Sequence, residues 1–228
     1  MCGNLISWVF QSNREMVPIV TIDGPSGSGK GTIAKALALR LNWNYLDSGL
    51  LYRCFAFLHN QDVDNISEAF SRIEHKYDSE SEDILFDGNN ITSIIRGKEI
   101  TVLSSQLSQK SEVREQLMQI QKQYRKLPGL VAEGRDMSSK LFPDSKVKIY
   151  LTADLSERVN RRANQLRNDG QKVNISELKS EIEERDLRDT QREHSPLVKT
   201  DDSILIDNTG KEVKETLEFI EKLVNEKY

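Results

Sequence analysis

The sequence predicts an α/β fold in which a parallel sheet is flanked by helices, and three observations carry that prediction. Short, nearly unbroken apolar runs recur at residues 17–22, 130–132, 147–151 and 204–206, each bounded by Gly, Pro, Asp or Asn; such runs fit central strands buried on both faces of a parallel sheet. Stretches with apolar residues at helical spacing lie between them. A glycine-rich loop, residues 24–32, joins the first run to the first helical stretch. The 228 residues suit one domain with an insertion, against a length prior of roughly 150 residues per domain. A chain of this length can bury its core without covalent or metal staples.

Each element follows in order. Residues 1–16 read as an appendage, with Met16 a candidate natural start: the apolar stretch 5–10 is too short to span a membrane, and no basic residue precedes it as a secretory signal requires. The domain proper is expected over residues 17–228. After the first strand ends at Asp23-Gly24, Ile33, Ala34, Leu37, Ala38 and Leu41 repeat at helical spacing. Asp47-Ser48-Gly49, with Tyr52-Arg53, falls where a second strand edge would face the glycine loop. From about 59 to 110 the alternation breaks. A polar run at 79–83, an extended run at 84–86, the turn Asp87-Gly88-Asn89-Asn90 and a second extended run at 91–95 predict a small antiparallel insertion. Val113, Leu117, Ile120, Tyr124 and Leu127 form a helical stripe stopping at Pro128-Gly129. Leu155, Val159, Ala163 and Leu166 imply a helix that carries Arg158 and Arg162, and Val213, Leu217, Ile220 and Val224 mark a closing amphipathic helix.

Composition excludes several function classes. The 32 Lys+Arg against 36 Asp+Glu give a formal net charge of −4, which argues against a nucleic-acid polymer partner, since the phosphate backbone is bound by a large uncompensated basic surface. Cys2 and Cys54 lack the spacing of a zinc site or disulfide framework, and suggest a reducing, cytoplasmic setting. His59, His75 and His194 share no metal-ligand spacing, and no serine sits in a nucleophile elbow, so neither a protein metal site nor a covalent mechanism is expected.

The loop Gly24-Pro25-Ser26-Gly27-Ser28-Gly29-Lys30-Gly31-Thr32 carries the strongest chemical signal. So few side chains leave successive backbone N–H groups exposed, and with the positive end of the following helix these form a concave anion site. Lys30 would reach the β- and γ-phosphates of a nucleotide. The strand–loop–helix setting is the context that such a P-loop requires. Gly31 stands where the Walker pattern has Ser or Thr, and the hydroxyl comes one residue later at Thr32. A Mg²⁺ ion at this loop would then be held largely by phosphates and water. The GKGT arrangement is typical of kinases acting on nucleoside monophosphates, and the NKxD segment of a GTPase is missing.

On the acceptor side, Gly134-Arg135-Asp136 follows the run at 130–132 and so falls at a strand's carboxyl end, where open parallel sheets bind ligands. Arginine suits such positions because its planar fork grips phosphate oxygens in bidentate fashion. Seven of the fifteen arginines lie between 158 and 192. Arg158 and Arg162 are i, i+4 neighbours, and like charges so placed cost roughly 0.2–0.5 kcal/mol, which an anion would offset. A solvated helix laced with ion pairs is the competing explanation: Asp154, Glu181 and Glu184 precede Arg158, Arg185 and Arg188 by four residues each.

The segments IDGPSGSGKGT, LDSGLLYR, PGLVAEGRDM, FPDSKVKIYLTA and ERDLRDTQR resemble, in order and spacing, the signatures of the bacterial cytidylate kinases, over nearly all of residues 17–208. The resemblance implies a P-loop NTPase-type parallel sheet flanked by helices, a monophosphate-binding insertion at about 59–110 containing a small antiparallel sheet, and a short arginine-rich lid at about 158–190. It implies ATP as phosphoryl donor with Mg²⁺, CMP and dCMP as small-molecule substrates, and a place in pyrimidine nucleotide metabolism. Neither membrane nor nucleic-acid polymer is expected as a partner, and a monomer is expected. Position for position it implies that Ser48, Tyr52 and Arg53 contact the acceptor nucleotide. Ser105, Arg114 and Asp136 match cytosine-recognition positions, Arg135 and Arg192 acceptor-phosphate positions, and Arg185 and Asp189 positions near the acceptor sugar. Lys30, Arg158 and Arg162 are the candidates for catalysis, the last two closing over the triphosphate. Cytosine presents an amine donor that the Asp136 carboxylate can accept, whereas uracil would turn an acceptor towards it. The rivals are a related kinase for UMP or shikimate and a nucleotide-binding switch that barely turns over.

Overall fold

The computed structural model describes residues 17–228 apart from 62, 64 and 169, and apart from the side chain of Ser67; the appendage expected at 1–16 lies outside the described residues. Along the chain run β1 (Ile19–Asp23), α1 (Lys30–Leu41), β2 (Asn44–Asp47), α2 (Ser48–Asn60), α3 (Ile66–Phe70), β3 (Ile73–Tyr77), β4 (Glu82–Phe86), β5 (Asn89–Asn90), α4 (Thr92–Arg96), α5 (Lys98–Leu107), α6 (Ser111–Lys122), β6 (Leu130–Gly134), a π-helical turn (Met137–Leu141), β7 (Val147–Thr152), α7 (Leu155–Asn168), α8 (Ile175–Gln191), β8 (Ile204–Asp207) and α9 (Val213–Lys227).

Five of the strands form one sheet in the order β2-β6-β1-β7-β8, every pairing parallel. The apolar runs place β1 and β6 at its buried centre, as continuous hydrophobic strands require. Successive side chains of β1 point to opposite faces: Ile19 packs with Leu46, Leu50, Phe55, Leu117 and Leu130, while Val20 and Ile22 pack with Ile33, Leu37, Ile149, Leu217 and Ile220 from α1, β7 and α9. The run at 204–206 is not the buried central strand its composition predicts. It forms the sheet edge, with Ile204 38 % and Leu205 55 % exposed and only Ile206 turned into the core.

The small antiparallel sheet has the order β3-β4-β5. The expected turn is present, with Asp87 and Gly88 at positive φ between paired Phe86 and Asn89, a two-residue hairpin of the type that favours Asp-Gly. Its partner strands differ from expectation. The run at 91–95 instead becomes the N-cap, Ile91, and most of α4, burying Ile91 and Ile95 at a spacing of four, and the long partner of β4 is β3, whose alternating polar sequence hid it. Likewise the stripe ending at Leu127 outruns its helix: α6 stops at Lys122 and Leu127 is 70 % exposed.

One polar cluster docks this sheet on the main body. Glu82 Oε1 lies 2.8 Å from His75 Nε2, Arg96 donates to Oε2 at 2.7 Å, and Lys35 of α1 approaches to 3.9 Å. Tyr45 of β2 meets Tyr77 edge-on at 5.3 Å beside it. Further along, α7 and α8 bury a small cluster of their own, Val159, Ala163, Leu178 and Ile182.

Candidate active site

The glycine loop leaves the carboxyl end of central strand β1, between neighbours β6 and β7. Its backbone demands glycine where packing is closest: Gly24 has φ +154°, and a Cβ there would lie 2.0 Å from the Leu151 carbonyl oxygen of β7. Gly27 and Gly29 also sit at positive φ, and Gly29 is the N-terminal cap of α1. Lys30 curls back so that Nζ donates to the Pro25 carbonyl at 2.9 Å. Burial, with help from the Arg135 charge, pulls its ammonium down to about 7. Thr32 is exposed, with Gly31 between it and Lys30.

Arginines grip the same loop from α7. Arg158 is buried; its Nη1 donates to the Ser26 carbonyl at 3.1 Å and pairs with Asp186 of α8, while Nε donates to the Ala153 carbonyl. Arg161 donates to the Ser28 and Asn208 carbonyls at 3.1 and 2.7 Å. Arg162, the other arginine singled out by sequence, instead lines a second cavity with Lys98 and Val102 of α5 and Leu166 and Lys172. The expected partners at four-residue spacing are only partly present. Glu184 lies 3.7 Å from Arg188, but Arg158 pairs with Asp186 and Glu181 pairs with Lys98.

Beside the loop opens a cleft of about 460 Å³, counted with the solvent at its mouth, and nine of the ten sequence-predicted acceptor residues line it: Ser48, Tyr52, Ser105, Arg114, Arg135, Asp136, Arg185, Asp189 and Arg192. Arg53 stands just behind, donating to Asp47 at 3.2 Å. The cavity is organised by ion pairs. Arg114 pairs with Asp136 and donates to the Ser108 carbonyl at 3.2 Å, Arg192 lies 3.8 Å from the same carboxylate, and Arg135 Nε donates to Asp189 at 2.7 Å. Three cationic groups keep a buried nitrogen with no hydrogen-bond partner: Arg53 Nε, Arg185 Nε and Arg192 Nη2. Burial, and then the neighbouring Arg135, holds Arg185 down at about 10. Burial pushes the Tyr52 hydroxyl up to about 12, so it stays neutral.

Asp23, at the end of β1, accepts from the backbone N–H of Met137 and Ser138 at 2.9 and 2.8 Å and from the Ser138 hydroxyl at 2.6 Å. It thereby fixes the turn immediately after Arg135-Asp136. Sequence reasoning missed this carboxylate, Arg161, Asp186 and Glu133, together with Ser104 and Ser108 on the cavity wall. Asp186 and Glu133 lie inside the motifs it used, and an acidic residue at a buried strand end is the signal that marks Glu133.

The donors present fit a hydrated Mg²⁺ ion. Burial, then the adjacent Asp47 carboxylate, raises the Glu133 carboxyl well above its usual range, with Lys30 opposing the shift. Such a pair of carboxylates beside a phosphate loop gains from a cation. A Cβ on Gly31 would stand 3.5 Å from Glu133 Oε1, so the missing side chain leaves room at this point. Among the described residues no three His, Cys, Asp or Glu groups could hold a metal ion by themselves.

Comparison with known proteins follows the same lines. The sequence profile of the family described as "Cytidylate kinase" matches residues 20–226. A protein named cytidylate kinase from Shewanella putrefaciens strain CN-32 is 42 % identical over 223 residues, covering 93 % of this chain and 97 % of its own. Another of that name, from Stutzerimonas stutzeri strain A1501, is 45 % identical over 214 residues, covering 90 % and 93 %.

Proposed function

The chain belongs to the cytidylate kinase family, and from that premise we propose how its residues divide the family's reaction. It is a phosphotransferase that moves the γ-phosphoryl group of ATP directly to CMP or dCMP, giving ADP and CDP or dCDP. The observation that carries the assignment of residues is the cavity beside the glycine loop, where nitrogens of Arg185 and Arg192 are buried without a hydrogen bond near a buried carboxylate, Asp136.

The glycine-loop amides and Lys30 hold the donor phosphates, and negative charge brought by ATP restores the Lys30 ammonium that burial weakens. Arg135, Arg185 and Arg192 take the acceptor phosphate, and the buried Arg185 Nε and Arg192 Nη2, which have no hydrogen-bond partner, turn their N–H groups to it. Asp136 accepts the cytosine amine while Arg114 and Ser105 serve the acceptor edge of the base, with Ser48, Tyr52 and Arg53 closing the far wall and Asp189 beside the sugar. Arg158 at the loop, joined by Arg162 when the lid closes and carries it over from the second cavity, neutralises charge that spreads over the transferring oxygens, so catalysis is positioning and electrostatic stabilisation. The acceptor phosphate is already ionised at neutral pH, and no general base is needed. Asp47 and Glu133 would hold Mg²⁺ beside Thr32, with phosphates and water completing its shell; the ion would neutralise phosphate charge.

In this reading residues 59–110 form the acceptor-binding insertion and 158–190 the lid that excludes water. In the same reading the protein works as a monomer in a cytoplasmic setting. ADP release measured across CMP, dCMP, UMP, AMP and shikimate tests the assignment: CMP and dCMP should be turned over well, and equal turnover of UMP would overturn the role given to Asp136.

A further inference from the structure

The Asp186 carboxylate hydrogen-bonds directly to the backbone of the glycine loop. It sits on α8, yet its Oδ1 accepts from the Ser26 N–H at 3.2 Å and its Oδ2 pairs with Arg158, while Arg158 itself donates to the Ser26 carbonyl at 3.1 Å. A backbone N–H from a phosphate loop combined with a guanidinium is the donor set that binds a phosphate oxygen, and a carboxylate satisfies the same two donors with charge-assisted hydrogen bonds. No catalytic step assigned above uses Asp186.

We propose that Asp186 is a built-in competitor for the donor phosphates, holding the Ser26 amide and Arg158 together until the triphosphate of ATP takes both from it. The inference rests on the reading of residues 24–32 as the donor-phosphate loop. Displacement has a second consequence that follows from chain position. Asp186 is flanked by Arg185 and lies one helical turn before Asp189, and both line the acceptor cavity. The contact that ATP breaks is therefore on the helix that presents two acceptor-site groups, and it ties the lid to the loop while phosphate is absent.

The charge balance gives the direction of the test. Removing one negative charge from beside an anion site, and one competitor for its donors, must tighten anion binding, whereas a residue that merely holds the fold together would weaken it. The measurement is calorimetric titration of the whole chain with inorganic tripolyphosphate and, separately, with CMP. Asp186→Asn keeps the shape and loses the charge; Asp186→Ser serves if the amide variant fails to melt cooperatively. Tripolyphosphate should bind the variant about tenfold more tightly than the parent, a change of about 1.4 kcal/mol, CMP affinity should stay the same, and the gain should shrink as salt screens the deleted charge. Equal or weaker tripolyphosphate binding by a folded variant would overturn the assignment to Asp186. Tripolyphosphate that binds neither protein would instead overturn the reading of the glycine loop, so the two failures are distinguishable.

Discussion

Replacing Glu82 with Gln should loosen the small sheet from the rest of the protein, and the loss should depend on pH. Burial alone would raise the Glu82 carboxyl, but the His75 hydrogen bond and the charges of Arg96 and Lys35 outweigh it and hold the group down at about 2, against 4.5 when free. At roughly 1.4 kcal/mol per unit this is a gross contribution of about 3 kcal/mol. The Glu82 side chain is 18 % exposed and that of Arg96 41 %, so solvent screening reduces the expected net effect to about 2 kcal/mol. The folded pKa lies below the unfolded one, so the unfolded chain binds the extra proton. The contribution is therefore complete above about pH 4.5 and disappears as pH falls towards 2. Urea unfolding followed by circular dichroism should show the parent more stable than the variant by about 2 kcal/mol at pH 7, with the difference closing as the buffer is made acid. A difference that is the same at pH 7 and pH 3, or below about 0.5 kcal/mol throughout, would refute the reasoning. Because α5, which carries Ser105, continues from this sheet through α4, the variant should also raise KM for CMP more than it lowers kcat.

Three further outcomes follow from the site. Lys30 loses its proton near pH 7 in the free protein, so kcat/KM for ATP should fall up to about tenfold per unit above that pH while kcat holds to higher pH; a flat kcat/KM between pH 6 and 9 counts against it. Arg158→Ala and Arg162→Ala should each lower kcat by about 10²-fold, the scale for one donor aimed at developing charge, with little change in CMP affinity, and an unchanged kcat in the ADP-release assay would remove that arginine from the transition state. Asp136→Ala should shrink the preference for CMP over UMP, read as the ratio of their kcat/KM values, and an unaltered ratio would move base recognition elsewhere.

Local sequence carried the elements whose burial is uniform. The continuous apolar runs of β1, β6 and β7 and the helical spacing in α1 and α9 were legible because each faces one chemical environment along its length. What was illegible lay at boundaries between environments. β3 alternates Ile73, His75 and Tyr77 inward against Glu74 and Lys76 outward, so its apolar content is too low to announce a strand. Residues 91–95 have the composition of a strand, and only packing of Ile91 and Ile95 on the same core selects the helix. Ile204 and Leu205 read as central because nothing in the four residues of β8 reveals that a sheet has no further neighbour on that side.

The site divides along the same line. Residues that act through their own motif, such as Lys30 in its loop and Arg135-Asp136 at a strand end, were found because the chemistry is local. Partner choice was not local. Arg158 has Asp154 four residues before it, the spacing for an intrahelical pair, yet joins Asp186 on the next helix; Arg114 reaches Asp136 and Arg135 reaches Asp189 over similar or longer separations. Four of the site's arginines, Arg53, Arg114, Arg135 and Arg158, each pair with an aspartate, so local basic charge is offset where it gathers. Unpaired, a group of buried guanidiniums would repel one another and resist folding. Paired as they are, Asp47, Asp136, Asp186 and Asp189 hold the guanidiniums oriented around the cleft. A phosphate that enters meets donors already aimed, and it has only to join or replace one carboxylate contact to bind.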